Sequence, residues 1–137
     1  MTENTENTEN TVPATDSGLL AVQRYVDFWN ASTADDQQRL ATATFAGTVA
    51  YHAPVGVLHG VDELIGFRNQ FADHSPDYVF HTRTPPQSHH GRARLQWELT
   101  VGDSSFATGT DVLELDHEGR IVAVAGFLDR APDGFPH

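Results

Sequence analysis

Apolar positions recur along the chain with a helical period near the start and a strand period towards the end, and the change from one to the other maps the elements. From Asp16 or Ser17, either of which can cap a helix, to about Asn30, Leu19, Val22, Val26 and Trp29 form one stripe flanked by Tyr25 and Phe28. Thr33-Ala34-Asp35-Asp36 has the form of a capped start, which predicts a second helix through Leu40 to about Thr44. Thr48–His52 reads as a short strand stopped by Ala53-Pro54-Val55-Gly56, and Leu64, Ile65, Phe67 and Phe71 predict a third helix from Val61 to about Ala72. Tyr78–Thr84 alternates as a strand, and Pro85-Pro86 assigns it to an edge or a bend.

The remaining pattern is β. In Arg92–Val101, Ala93, Leu95, Trp97, Leu99 and Val101 face one way and Arg94, Gln96, Glu98 and Thr100 the other. A turn at Gly102-Asp103-Ser104 leads into Phe106–Leu115, and Asp116-His117-Glu118-Gly119 joins that strand to Ile121–Leu128, predicting a β-hairpin. With three residues in the first turn Asp111 lies opposite Leu95; with two it lies opposite Arg94. Burial favours the first register, because a one-residue slip turns a whole apolar face to water. The last strand is apolar on both sides, so its second face, with Val122, Val124 and Leu128, calls for a partner; a sheet-to-sheet homodimer is the simplest.

Asp111 is the awkward residue in this pattern, since it shares the apolar face of its strand with Ala107, Gly109, Leu113 and Leu115. A carboxyl there must pair with a cation, find hydrogen-bond donors, or raise its pKa and stay protonated. Small Ala107 and Gly109 beside it suggest open space for a ligand, against the alternative of an Asp satisfied by backbone donors at a bulge. Tyr25, at the edge of its helical stripe, reads as an amphipathic aromatic with its hydroxyl in water.

Composition narrows the function. One domain fits 137 residues, and the absence of Cys excludes disulfides, thiolate metal sites and cysteine nucleophiles. The net charge is −11; Glu3, Glu6, Glu9 and Asp16 lie in the first sixteen residues, which hold no Lys or Arg, so the remainder carries −7. A nucleic-acid partner is therefore not expected. Thr-Glu-Asn occurs three times over residues 2–10, and residues 1–17 read as a disordered acidic tail before a domain at 18–130 and an irregular tail at 131–137. No stretch resembles a signal peptide or a membrane span, so a cytoplasmic protein is expected. The eight His show no metal-ligand spacing, and there is no phosphate loop, dinucleotide fingerprint or GxSxG elbow; neither metal nor cofactor is expected.

The order of elements resembles the cone-shaped superfamily of nuclear transport factor 2 (NTF2-like, cystatin-like), which includes ketosteroid isomerases, small SnoaL-like polyketide cyclases and limonene-type epoxide hydrolases. The resemblance implies an α+β fold with three N-terminal helices packed on a strongly curved mixed or antiparallel sheet. TDVLELDHEGRI resembles the strand and turn before the last strand of the ketosteroid isomerases, so Asp111 falls where they carry a protonated Asp that hydrogen-bonds the substrate oxygen. Arg24-Tyr25-Val26 resembles the segment with their oxyanion-hole Tyr, which gives Tyr25 that candidate role. Their general-base Asp precedes a Pro after the first strand; here the turn reads Tyr51-His52-Ala53-Pro54, so either Ala53 fills the slot without a base or His52 supplies one. The epoxide-hydrolase pattern needs an acid on the last strand, and Ile121–Leu128 has none.

The resemblance thus implies acid/base enolate chemistry, isomerisation or cyclisation, on a small apolar carbonyl compound. Tyr25, His52 and Asp111 are its catalytic candidates, and Trp29, Phe67, Trp97 and Phe127 its candidate substrate contacts. The alternative is a non-catalytic ligand-binding or dimerisation module on the same fold.

Overall fold

A computed structural model describes residues 16–133. Most of the expected acidic tail, residues 1–15, and the last four residues of the expected C-terminal tail lie outside the described residues.

Three helices, α1 (Ser17–Asn30), α2 (Ala34–Thr44) and α3 (Gly60–His74), accompany seven strands: β1 (Phe45–Ala53), β2 (Gly56–His59), β3 (Tyr78–Thr82), β4 (Gln87–His89), β5 (Arg92–Val101), β6 (Ser104–Leu115) and β7 (Ile121–Arg130). The strands form one mixed sheet in the order β2-β1-β7-β6-β5-β3, with β4 also on β5. Only β1 and β7 run parallel; every other pairing is antiparallel. None of the described helices is long and apolar enough to cross a membrane.

Local chemistry explains the helix ends. Asp16 Oδ1 accepts from the Gly18 and Leu19 amides at 2.9 and 3.1 Å, and Thr33 Oγ1 accepts from the Asp36 amide at 3.2 Å. The buried face of α1 is Ala21, Val22, Tyr25, Phe28 and Trp29. Tyr25 and Phe28, both 0 % exposed, lie at its centre and not at its flank as the stripe through Leu19 and Val26 suggests. They pack with Phe45, Leu64, Leu95, Leu113, Ile121 and Val124 in the core between helices and sheet.

Bulges set two registers differently from simple alternation. The turn between β5 and β6 has two residues, Val101 pairing with Ser104, yet a bulge after Leu99 adds one residue and returns Asp111 to Leu95. Burial of the apolar face thus wins, through a bulge and not through a longer loop. In β7 a second bulge lies beside Val122, so Ile121 and Val124 both face the core. Val124, 1 % exposed, is therefore not on the outer face, and Leu128 pairs with inward-facing Gly109. The residues of β7 that pair with outward-facing Glu114, Val112 and Thr110 are Ala123, Ala125 and Phe127. The short strands β2 and β4 have no counterpart in the sequence pattern; each is fixed by its neighbour, β1 or β5.

Candidate functional site

The concave side of the sheet and α3 border a half-open cavity of about 320 Å³. Its walls are almost entirely apolar, and among the described residues Asp111 is the one carboxyl in them.

Glycines determine where that carboxyl goes. Gly109 stands opposite Trp97 across β5 and β6, and a Cβ on it would overlap the indole. The Trp97 indole therefore occupies the space over Gly109, two residues from Asp111 on the same face, and its Nε1–H donates to Asp111 Oδ1 at 2.9 Å. The space over Gly109 is filled by indole and is not the open volume the small residue suggests. On the other side Gly126 pairs with Asp111, where a Cβ would stand 2.8 Å from Oδ1. From α1, Tyr25 Oη–H donates to Asp111 Oδ2 at 2.6 Å. The helix that carries it is pinned at its end: Asn30 donates to the Phe80 carbonyl and accepts from the Phe80 amide on β3, at 2.7 and 2.9 Å.

Asp111 is 3 % exposed. Burial pushes its carboxyl up to about 6, against the opposing pull of the hydrogen bonds from Tyr25 and Trp97. Burial, and then the charge of Asp111, raise the Tyr25 phenol well above its usual value. The same two causes raise Tyr51, so both phenols stay protonated donors.

The structure brings Tyr25 and Asp111 together but not His52. Along β1 the side chains of Val49, Tyr51 and Ala53 turn inward, so His52 points to the outer face, exposed, with Nδ1 3.4 Å from the Val124 carbonyl. His52 is thus placed away from the cavity, while Ala53 lines it. Tyr25 does not border the cavity; its hydroxyl is spent on Asp111, which separates it from a direct role on a substrate oxygen. Trp29, Phe67 and Trp97 line the cavity, and Phe127 borders it while remaining 60 % exposed.

Tyr51 is the residue the sequence reading missed. Its ring packs 5.6 Å from that of Trp29 and lines the cavity. Its hydroxyl has no hydrogen-bond partner among the described residues. Alternation from buried Val49 could have marked it, since the residue two along a strand shares its face.

Comparison with known proteins adds to this geometry. A family model described as SnoaL-like domain matches residues 22–124. A candidate isomerase of the SnoaL-like family from Agrobacterium tumefaciens is 30% identical, with 82% of this chain and 97% of that chain covered and a TM-score of 0.77. An NTF2-like protein from Exiguobacterium sp. is similar at 21% identity, covering 84% and 99% of the two chains, with a TM-score of 0.63. A candidate polyketide cyclase from Sinorhizobium meliloti shares the fold at 18% identity, covering 77% and 92%, with a TM-score of 0.61. No curated protein matches the chain.

Proposed function

We propose that this chain, which belongs to the SnoaL-like domain family within the NTF2-like superfamily, is a small-molecule enzyme that moves a proton beside the carbonyl of an apolar compound. That step is common to isomerisation and to aldol-type cyclisation. The observation that carries the reading is Asp111, a buried carboxyl aimed into an apolar cavity and poised to titrate near pH 6.

In the ionised form Asp111 takes a proton from the carbon next to the carbonyl, the electron pair moves onto the carbonyl oxygen as an enolate, and the same carboxyl returns the proton elsewhere on the product. Each carboxylate oxygen accepts one hydrogen bond and keeps a further lone pair for this transfer. Tyr25 and Trp97 act as positioning residues that fix the carboxylate. Tyr51, which lines the cavity and whose hydroxyl has no partner among the described residues, donates to the developing enolate oxygen; one donor of this kind lowers a barrier by about 3–4 kcal/mol. The chemistry needs no cofactor, since the proton leaves and returns through one side chain. The Agrobacterium relative's description as a candidate isomerase supports this choice.

One observation favours a second reading, a non-catalytic binding module: both Asp111 oxygens already have donors, as in a purely structural carboxyl. Exchange of the α-protons of 2-tetralone, a two-ring ketone sized for the cavity, with deuterated solvent separates the two by NMR. The enzyme reading expects exchange well above the buffer rate and its loss in Asp111→Asn; equal rates in both proteins leave only the binding module.

A homodimer through the outer sheet face completes the proposal. Val57 and Phe127 are exposed there beside Ala125 and Val112. Sedimentation of Phe127→Glu tests it, with monomer expected from the variant and dimer from the unaltered chain.

A further inference from the structure

Proton transfer at Asp111 leaves one charged group of the cavity unused. Arg68, on α3, is 8 % exposed and borders both the apolar cavity and a polar cleft lined by Ser32, Gln37 and Asn69. Its guanidinium is firmly framed. Nε donates to the Trp29 carbonyl at 3.4 Å, Nη1 donates to Asn69 Oδ1 at 3.0 Å, and the Tyr78 ring lies 5.3 Å from its central carbon. Gln37 Nε2 donates to the same Asn69 oxygen and to the Ala31 carbonyl, both at 3.0 Å, which aims that oxygen at Arg68.

The frame occupies Nε and Nη1. The Tyr78 hydroxyl also lies within hydrogen-bond reach of the guanidinium; beyond it Nη2 has no acceptor among the described residues, and Arg68 borders the unfilled cavity. No carboxylate among the described residues stands within ion-pair distance of Arg68. A buried cation without a counter-charge is costly unless something else neutralises it, and an apolar wall gains nothing from one.

We propose that Arg68 anchors the carboxylate of the ligand whose carbonyl reaches Asp111, so that the substrate class is a keto acid or a related acid with an apolar body. This deepens the proton-transfer reading and rests on it for the far end of the molecule. The planar fork of a guanidinium matches a carboxylate. One cation balances one negative charge, and among the described residues Arg68 is the only cation lining the cavity, whereas a phosphate monoester carries nearly two charges. Tyr78, the ring under Arg68, pairs with Val101, and Asp111 pairs with Leu95, six residues along β5. The ligand is therefore elongated, held at one end and reacting at the other, and binding at the remote end positions the reacting carbon.

The test is a matched pair of probes, naphthalene-2-carboxylate and its neutral amide, titrated by the fluorescence of Trp29 and Trp97 at about pH 8, where acid and Asp111 are both ionised. The unaltered protein should bind the acid at least about tenfold tighter than the amide. Arg68→Gln should abolish that preference by weakening the acid alone, and Arg68→Lys should retain part of it. Equal binding of acid and amide by the unaltered protein, or a preference that survives in Arg68→Gln, overturns the anchor. The ratio in the unaltered protein decides even if Arg68→Gln fails to fold. Asp111→Asn should keep the preference while losing 2-tetralone exchange; in the unaltered protein, exchange without any preference for the acid removes the anchor alone and leaves the proton-transfer reading standing.

Discussion

Replacing Asp111 by Asn should change the protein's stability by an amount that depends on pH in a fixed direction. An unfolded Asp titrates near 3.8, whereas the buried carboxyl titrates near 6. Below both values each state holds the proton and the residue contributes nothing to the difference. Between them the folded protein keeps a proton that the unfolded chain has released, so stability falls as pH rises through this window. Above 6 both states are ionised and the penalty is complete. Two pH units at about 1.4 kcal/mol each amount to roughly 3 kcal/mol. Asn does not titrate: Trp97 still donates to its oxygen, while its amide meets the Tyr25 hydroxyl as a second donor, a cost that is the same at every pH. Urea unfolding of both proteins from about pH 3.5 to about pH 7.5 gives the difference, in which the other titrating groups cancel. The stability of Asp111→Asn relative to the unaltered protein should climb by about 3 kcal/mol across that range, a shift in Tm on the order of 10 °C. A flat difference, or one that declines with pH, would show an Asp111 held at or below its ordinary pKa and would refute the reasoning.

Tyr25→Phe removes a donor that lowers the Asp111 pKa, so the pH dependence of 2-tetralone exchange should move above 6, and urea unfolding should register about 1–3 kcal/mol of lost stability for the orphaned oxygen. Tyr51→Phe should lower the exchange rate on the order of a hundredfold while leaving the urea midpoint unchanged, because its hydroxyl has no partner among the described residues. His52→Ala, on the outer face, should leave exchange kinetics unaltered; a large fall would return the base role to that residue. Gly109→Ala drives a methyl into the Trp97 indole and should cost about 1–3 kcal/mol by thermal or urea melting, with a change in indole fluorescence as the ring is displaced.

Much of this arrangement was legible in the sequence where one rule acted alone. The alternation of Ala93 to Val101 and of Ala107 to Leu115 put Asp111 on the buried face, and the structure keeps both faces. Where two effects compete, the pattern gives out. The β5–β6 turn is shorter than burial alone demands, and the chain restores the register with a bulge that no composition marks. The bulge beside Val122 turns Val124 into the core, which a strict period of two places outside. At the site, His52 is the residue type that suggests a base, but Tyr51, one position earlier, faces inward because the strand extends back to Phe45 and fixes the phase from Val49. Arg68 was hidden for another reason. A cation inside a stripe of Phe67 and Phe71 looks like a solvated helix face, and only the packing of Trp29, Asn69 and Tyr78 around it reveals its burial.

The account depends on Asp111 as the group that carries the proton, and the pH profile of 2-tetralone exchange addresses that most directly. The rate per unit of free protein should rise with pH through an inflection near 6 and level off above it, as the base form of Asp111 fills, and the inflection should vanish in Asp111→Asn. A profile that follows an ordinary carboxylate near 3.8, or one that survives intact in the variant, contradicts it.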